Sequence, residues 1–312
     1  MTIKTVLVTG ASGFLGRPIV QRLVSAGYAV RASTHADALF QNSVDVAVIP
    51  DLRNEIDWKP ILSDVHIVIH LAGLTHPDSR GVAYEQFDTM NRMATENLAH
   101  ACKKAGIERV VFISSVRAQT GASAKHAVHE KDAVCPTDSY GRSKLDAEAA
   151  LRASGVPFTI LRPVAVYGPH PTGHMRALVR VASTPFPLPL SSLSGRRSLL
   201  SIDNLISAIL FLLNNPTTMN ETYLVADPAA FTVAEVVAML RKAQGRSAML
   251  FPIPSTIFYF ILSLINRQDI WARLNEDLIV DPGKLQALGW SPPVDTYDGI
   301  VAMLRAENDP DG

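Results

Sequence analysis

The chain of 312 residues has only two cysteines, Cys102 and Cys135. Two cysteines do not make a disulfide framework, so reduced thiols in a cytoplasmic protein are the expectation. The sequence has no CxxC motif and no cluster of His and Cys with the spacing of zinc ligands. We therefore predict no metal site.

The sequence also lacks an excess of positive or negative charge, and it has no apolar run long enough to span a membrane. Lys and Arg total 29, as do Asp and Glu, so the formal net charge is zero and no nucleic-acid partner is predicted. The longest apolar run, from Ile257 to Ile265, is about half of what spans a bilayer. It is expected to pack within the protein or to line a pocket, with docking on a membrane surface as the alternative. No basic and apolar leader precedes the first strand. The composition, 47% hydrophobic and 19% charged, is that of one large globular domain or two lobes.

A glycine-rich turn follows the first predicted strand, Thr5 to Thr9. Glycines stand at 10, 13 and 16, and a helix then runs to about Ala26 and ends at Gly27. Glycine lets backbone approach a pyrophosphate closely, and the free N–H groups at a helix N-terminus attract its charge. Because the triplet lies between a strand and a helix, it predicts a dinucleotide site.

Further strands alternate with helices along the first half of the chain. Strands are predicted over residues 28–33, 44–49, 65–70, 110–115 and 158–162, and longer helices over 84–105 and 139–155. This alternation predicts an α/β fold with a doubly wound parallel sheet.

The second strand ends in Ser33, Thr34 and His35. An NAD-specific site usually has an acidic residue here for the ribose 2′-hydroxyl, and none appears before Asp37. The cofactor is therefore predicted to be NAD or NADP, with a preference for NADP(H). Arg31 is close enough in sequence to assist a 2′-phosphate, unless its side chain points away.

The chemistry is predicted at Ser115, Tyr140 and Lys144. Ser115 follows a buried strand, and Tyr140 and Lys144 are four residues apart on one helical face. An ammonium lowers the pKa of a nearby phenol, which would let Tyr140 exchange a proton with a substrate hydroxyl or carbonyl. Ser115 would hold the same oxygen.

The sequence pattern changes after Pro169, because prolines at 185, 187 and 189 interrupt regular secondary structure. A strand is predicted to run into a helix capped by Asp203 or Asn204, and Thr232 with Glu235 forms a capping box. We predict a dinucleotide-binding domain over residues 1–168 and 198–228. A smaller, interleaved substrate-binding lobe would comprise 169–197 and 229–312.

Taken together, the motifs resemble the extended short-chain dehydrogenase/reductases, the NAD-dependent epimerase/dehydratase proteins. The resemblance covers essentially the whole chain and implies a Rossmann domain and a nucleotide-sugar substrate, without a membrane span. It is carried by the glycine triplet, Asp51-Leu52, His70-Leu71-Ala72-Gly73, Asn91, Ser115, the Tyr140/Lys144 pair and Arg162-Pro163. The residues predicted to contact the cofactor are Gly10, Gly13, Phe14, Leu15, Gly16, Ser33, Thr34, His35, Asp51, Leu52, Leu71, Ala72, Gly73, Asn91, Tyr140, Lys144 and Pro163.

Within the family, the C-terminal part looks most like bacterial UDP-linked 4-keto-6-deoxy-sugar 4-reductases, which make sugars for surface polysaccharides. The resemblance implies that Arg197 contacts the UDP diphosphate. Arg117, Leu190 and Arg273 are further candidates for substrate contacts. Dehydratases of the family have Asp-Glu after the Ser/Thr, whereas Val116-Arg117 follows Ser115 here, so elimination of water is not expected.

Three functions remain open from sequence alone. The first is a nucleotide-sugar epimerase or reductase acting at C4, the second a reductase of a small ketone or aldehyde, and the third a non-catalytic dinucleotide sensor. A diphosphate contact at Arg197 favours the first, because a neutral substrate needs no such group. Tyr140 and Lys144 disfavour the third, because non-catalytic relatives typically lose one of them. The oligomeric state stays open, with a homodimer as one option.

Overall fold

The computed structural model describes residues 3–35, 40, 43–74, 83–264, 271 and 274–307. The chain divides into two compact units. The larger unit comprises residues 1–119, 133–163 and 208–223, and the smaller unit comprises 120–132, 164–207 and 224–312.

The larger unit is built on a seven-stranded sheet. Its strands are β1 (Thr5–Thr9), β2 (Ala29–Thr34), β3 (Val44–Val48), β4 (Ile67–His70), β5 (Arg109–Ile113), β6 (Phe158–Pro163) and β9 (Glu221–Val225), in the order β3-β2-β1-β4-β5-β6-β9. The pairs from β3 through β6 are parallel. The predicted doubly wound α/β sheet is thereby confirmed.

Helices flank this sheet, and α1 and α6 follow their predicted bounds closely, whereas α2 and α5 were not predicted. They are α1 (Gly16–Ser25), α2 (Trp58–Ile61), α3 (Tyr84–Phe87), α4 (Ala94–Ala105), α5 (Val116–Gln119) and α6 (Ser139–Ala153). Every residue of β4, β5 and β6 is buried, as expected for parallel strands covered on both faces.

One helix differs from its prediction in detail. The helix predicted over 84–105 contains a π-helical segment, Asp88–Met93, between α3 and α4. Such insertions occur often at functional sites, and this one carries Asn91.

The smaller unit has its own three-stranded sheet. Its strands are β7 (Ala165–Tyr167), β8 (Arg196–Ser201) and β10 (Ala230–Thr232), in the order β10-β8-β7. Helices α7 (Gly173–Ala182), α9 (Val233–Ala243), α10 (Ser255–Leu264), α11 (Gly283–Gln286) and α12 (Thr296–Glu307) belong to this unit, and α8 (Ile202–Leu213) follows β8. Tyr167, Leu240 and Ile300 are buried in its apolar core.

The units are divided differently from the predicted boundaries. Because β8 pairs with β7 and β10, residues 198–207 belong to the smaller unit rather than the dinucleotide domain. Residues 120–132 also join the smaller unit, where Val128 forms a β-bridge with Val280. The local sequence pattern could not show these pairings, because the paired residues are distant in the chain.

The helix caps are partly as predicted. The capping box of Thr232 and Glu235 is confirmed. The predicted cap of α8 at Asp203 or Asn204 is wrong, because the helix begins at Ile202 and the Ser201 hydroxyl accepts a hydrogen bond from the Asn204 N–H at 3.1 Å. Ser201 is the N-cap-like residue because its side chain precedes the first turn.

Among the described residues, no helix is both long and apolar enough to cross a membrane. Over the same part of the chain, no three His, Cys, Asp or Glu side chains come together as a metal site. Cys102 is buried and Cys135 is exposed, and both are free thiols.

Candidate active site

The glycine-rich turn after β1 is too tight for side chains at two of its three glycines. Gly10 has φ +68°, and a Cβ there would lie 3.0 Å from the backbone of Ala72. A Cβ on Gly16 would lie 2.2 Å from the Gly10 carbonyl oxygen. Helix α1 begins at Gly16 and has no acidic residue in its first turn, so no carboxylate competes for an anion at this helix N-terminus, although the Arg17 N–H already donates to the Gly13 carbonyl. This cradle fits a pyrophosphate.

At the end of β2, Ser33 has a buried hydroxyl with no partner. Among the residues that the structure describes, the Ser33 Oγ is the one buried side-chain polar atom without a hydrogen-bond partner. The Ser33 carbonyl accepts from the Ala11 N–H at 3.2 Å, so Ser33 lies beside the glycine turn. Because buried hydroxyls are normally satisfied, this orphan supports a ligand at the end of β2.

Arg31 points away from this strand end. Its Nε donates to Asp45 at 2.5 Å, and its Nη1 donates to the carbonyls of Ile61 and Ser63, each at 2.8 Å. Arg31 therefore supplies no positive charge for a 2′-phosphate. His35 is exposed, with its Nδ1 3.2 Å from the Pro50 carbonyl, and Thr34 is buried.

Asp51 and Leu52, predicted to contact the cofactor, differ in environment. Leu52 is buried, whereas Asp51 binds Arg53 through both carboxylate oxygens, at 2.9 and 2.8 Å. This ion pair, reinforced by the Arg53 N–H, holds the pKa of Asp51 far below its usual range. Asp51 is thus a fixed anion and hydrogen-bond acceptor.

Asn91 acts on the loop after β4. Its Oδ1 accepts from the Leu74 N–H at 2.7 Å, and its Nδ2 donates to the Leu74 carbonyl at 3.2 Å and the Ser143 Oγ at 2.9 Å. Gly73 passes so close that a Cβ there would lie 2.6 Å from the Asn91 Oδ1. The buried amide therefore ties the predicted cofactor loop, Leu71–Gly73, to α6.

His70 is held neutral beneath the site. Its ring nitrogens contact the hydroxyls of Thr9, at 2.7 Å, and Thr95, at 3.1 Å, and its ring stacks on Phe112. Burial, with a smaller contribution from the Lys144 charge, lowers the pKa of His70 to about 3. Because the Thr9 hydroxyl also accepts a hydrogen bond from the Ala72 N–H, this series of hydrogen bonds fixes the loop after β4 against β1.

Ser115 and Tyr140 meet at the carboxyl end of β5. The Ser115 hydroxyl acts on the Tyr140 phenol, and Ser115 Oγ accepts a hydrogen bond from the Arg117 N–H at 3.1 Å. Burial raises the pKa of Tyr140 to about 12, and the Ser115 hydrogen bond acts in the opposite direction. The phenol is therefore protonated at neutral pH.

Lys144 lies one helical turn from Tyr140 and is buried. Its Nζ is 4.4 Å from the centroid of the Phe112 ring. Burial lowers the pKa of Lys144 to about 8, while Glu148 raises it. The expectation that the ammonium lowers the pKa of Tyr140 is wrong for this arrangement, because desolvation of the phenol outweighs the other influences.

Arg117 is paired at the start of the catalytic helix. Asp138 is the N-cap of α6: its Oδ1 accepts from the Gly141 N–H at 2.7 Å, and its Oδ2 forms an ion pair with Arg117. A Cβ on Gly141 would lie 2.2 Å from the Arg117 carbonyl oxygen. The pair therefore locks α5 against the first turn of α6, which contains Tyr140.

A buried ion pair supports α6 from below. Glu148 accepts from Arg162 at 2.6 and 2.8 Å and from the Ser114 hydroxyl at 2.6 Å. Arg162 also binds Gln119. Because these side chains come from β5, β6, α5 and α6, they fix the elements that carry Ser115 and Lys144. The last residue of β6 is Pro163, predicted to line the cofactor.

Two of the predicted substrate residues lie in the smaller unit. Arg197, on β8, donates to the Ala122 carbonyl at 2.8 Å, and Leu190 packs against the core of that unit. Arg117 lies in the larger unit, and Arg273 falls outside the described residues.

Some residues of the site were not found from sequence. Thr9, Thr95, Ser143 and Asp138 all position the predicted residues, and only Asp138 carries a local signal, an Asp immediately before a helix. The others act through contacts between elements distant in the chain.

The larger unit thus combines a dinucleotide cradle with a protonated phenol, a serine hydroxyl and a buried amine. A phenol in this state can donate a proton to a carbonyl oxygen, and the phenolate that remains can take a proton back from a hydroxyl in the reverse reaction. The arrangement is suited to transfer of a proton coupled to chemistry on a bound dinucleotide.

Comparison with known proteins agrees with this chemistry. Residues 6–226 match the NAD dependent epimerase/dehydratase family. A UDP-glucose 4-epimerase of Vibrio cholerae is 30% identical over 98% of this chain and 97% of its own length.

Two solved structures have the same fold. MoeE5 in complex with UDP-glucuronic acid and NAD is 24% identical, with a TM-score of 0.80 over 97% of this chain and 99% of that chain. The UDP-glucuronic acid 4-epimerase of Bacillus cereus with NAD is 22% identical, with a TM-score of 0.79 over 97% and 96% of the two chains. From the match over residues 6–226 and the Vibrio cholerae relative, we conclude that the chain belongs to the NAD-dependent epimerase/dehydratase family.

Proposed function

We propose that this protein transfers hydride at C4 of a UDP-linked sugar, either epimerising the C4 hydroxyl or reducing a C4 ketone. The observation that carries the proposal is the grouping of Ser115, directly after β5, with Tyr140 and the buried Lys144 on α6. These residues share one unit with the glycine cradle of Gly10 and Gly16.

Each group of the site has a separate role in this reaction. A bound nicotinamide dinucleotide would supply the hydride acceptor or donor. Tyr140, with its pKa near 12, holds the proton that a C4 ketone needs and takes it back from a C4 hydroxyl. Ser115 orients the same oxygen through its hydroxyl. Lys144 is not among the charges that act on the Tyr140 phenol, so we propose that its ammonium, one turn along α6, holds the ribose of the bound nicotinamide.

Three observations support a nucleotide-sugar substrate. The Vibrio cholerae relative carries the name UDP-glucose 4-epimerase, and MoeE5 has UDP-glucuronic acid bound. Arg197 on β8 stands where the resemblance implies a diphosphate contact. We propose that Arg197 and Leu190 bind the UDP moiety and that Arg117 and Arg273 contribute to sugar selection.

The reductase form has its own support. No acidic residue stands at Thr34 or His35, so a 2′-phosphate meets no repelling carboxylate there. We propose that NADP(H) is accepted at least as well as NAD(H), which suits reduction. From the resemblance to 4-keto-sugar reductases, we propose that the product serves surface polysaccharide synthesis and that the enzyme is cytoplasmic.

The test is to incubate the purified protein separately with UDP-glucose, UDP-N-acetylglucosamine and UDP-glucuronic acid in the presence of NAD⁺. Proton NMR should reveal the C4 epimer of at least one of them. In parallel, a UDP-4-keto-6-deoxy sugar is supplied with NADPH, whose oxidation is followed by absorbance. An epimer favours the first form, and NADPH oxidation favours the second. If neither occurs and UDP does not bind at millimolar concentration, reduction of a small non-nucleotide ketone replaces this proposal.

A further inference from the structure

The smaller unit exposes an unusual number of large apolar side chains. Phe186 is 69% exposed, Phe260 61% and Leu264 70%, and Met249, Phe251, Ile257 and Tyr259 are exposed as well. They come from two segments, one around Phe186 and one running from Met249 through α10. We call these seven residues the apolar surface. Single exposed apolar residues are ordinary, but a group of this size marks an interaction site.

A buried arginine holds the two segments together. Arg241 donates to the carbonyls of Thr184 and Phe186, at 3.1 and 2.7 Å, and to the carbonyl of Ala248 at 2.7 Å. Leu188 is also paired in both directions, its N–H donating to the Met249 carbonyl and its carbonyl accepting from the Phe251 N–H.

This arrangement builds the apolar surface rather than leaving it to a loose loop. Burying a guanidinium is costly unless its donors are satisfied, and Arg241 satisfies them on main-chain carbonyls of the two segments. The backbone that displays Phe186 is therefore fixed beside the backbone that displays Met249 and Phe251.

The two segments themselves contain cations and no acidic residue. The sequence has no Asp or Glu between Glu148 and Asp203, nor between Glu235 and Leu264. The exposed Arg246 borders the surface, because its guanidinium donates to the carbonyls of Ser183 and Thr184, and Arg180 precedes them in the last turn of α7. In a chain whose total charge is zero, this segregation is specific to these segments.

We propose that the apolar surface docks on an anionic lipid bilayer. Aromatic and aliphatic side chains enter the headgroup region, while Arg and Lys are attracted to lipid phosphates, and both contributions are present here. A second copy of the chain is the less favourable occupant, because a symmetric contact would bring the same arginines together. No part of the chain has to cross the bilayer for this contact, which is independent of the substrate proposed above.

The test is co-sedimentation of the purified full chain with vesicles. Vesicles of phosphatidylglycerol and phosphatidylcholine in equal parts should retain the protein, and vesicles of phosphatidylcholine alone should retain much less. Raising the salt concentration should weaken retention, because salt screens exposed charges.

Variants locate the contact. The combined Phe186→Gln, Phe260→Gln and Leu264→Gln changes should lower the partition coefficient about tenfold or more, since apolar insertion supplies much of interfacial binding. Arg246→Gln should weaken binding to the anionic vesicles and reduce its dependence on salt. Val134→Gln is the matched control: Val134 is 47% exposed and lies in the larger unit, so binding should not change. Cofactor titration and thermal unfolding establish that each variant is folded.

Three results would overturn the proposal. The first is a failure of the wild type to sediment with anionic vesicles at millimolar lipid, and the second is equal binding by the triple variant. The third is light scattering that shows a concentration-dependent dimer which the triple variant abolishes, with no vesicle binding by the wild type. The surface would then be an interface between copies.

Discussion

The Lys144 ammonium lies 4.4 Å from the centroid of the Phe112 ring, and the same ring stacks on His70 with centroids 5.5 Å apart. A cation over an aromatic face is stabilised by about 0.5 to 2 kcal/mol, depending on desolvation. Phe112 therefore opposes the effect of burial, which favours the neutral amine. The ring helps to keep Lys144 charged near neutral pH.

The pKa of Lys144 predicts the pH at which turnover falls on the alkaline side of the pH profile. With a pKa of about 8 for Lys144, turnover should fall as the pH rises through 8, because the amine loses its charge. Tyr140, with a pKa near 12, does not titrate in this range. In Phe112→Leu, the limb should move to lower pH by about 0.4 to 1.5 units, the cation–π energy divided by 1.36 kcal/mol per unit. The measurement is kcat against pH.

The control is Phe158→Leu. Phe158 is also a buried strand residue, and its ring lies 5.1 Å below the guanidinium of Arg152 rather than Lys144. This change removes a comparable ring and should destabilise the fold similarly, yet leave the alkaline limb in place. Equal shifts in the two variants would refute the role of Phe112.

Tyr140→Phe tests the acid and base directly. Removing the hydroxyl should lower turnover by about 10²-fold or more, the usual contribution of a positioned acid or base. Cofactor affinity should be unchanged, because the glycine cradle is intact. Tyr28→Phe, at the turn before β2, should behave as wild type. Full activity in Tyr140→Phe would show that another group transfers the proton.

The fold, and the proximity of Tyr140 to Lys144 on one helix, could be predicted because their signals are local. Strand and helix periodicity, the glycine spacing at 10, 13 and 16, and the four-residue step from Tyr140 to Lys144 are each contained in one stretch of chain. Even so, local spacing gave the wrong direction for the Tyr140 pKa. Desolvation depends on everything packed around the phenol, and that is set by distant parts of the sequence.

The support of the site was not predictable for the same reason. Asn91 joins Leu74 to Ser143, and Glu148 joins Ser114 to Arg162, across separations that no window of sequence contains. Arg31 is a second case in which a residue on another strand determines the contact. Its position suggested a phosphate contact, but Asp45 on the neighbouring strand binds its guanidinium.

Cofactor choice should follow the residue at the end of β2. NADPH should bind the wild type at least as tightly as NADH, and Thr34→Asp should select NADH, because a carboxylate repels the 2′-phosphate and accepts from the 2′-hydroxyl. Arg31→Ala should leave NADPH affinity unchanged, since that guanidinium is bonded to Asp45, Ile61 and Ser63. Nicotinamide fluorescence titration measures all three proteins. A hundredfold preference of the wild type for NADH would contradict the prediction.

The substrate class can be tested at Arg197. A guanidinium can bind two phosphate oxygens at once, and an ammonium cannot reproduce that geometry. If the substrate carries UDP, Arg197→Lys should weaken its binding by about 1.5 to 3 kcal/mol, the range for a charge-assisted hydrogen bond, which is roughly ten- to a hundredfold. Cofactor affinity should hardly change. The matched control is Arg196→Lys, because Arg196 is exposed and pairs with Glu235 on the same unit, so UDP affinity should stay within about twofold, as for a surface ion pair. Calorimetry with UDP measures both variants and the wild type. Equal losses in the two variants would place the diphosphate elsewhere, and no UDP binding by the wild type would leave the small-ketone reductase as the function.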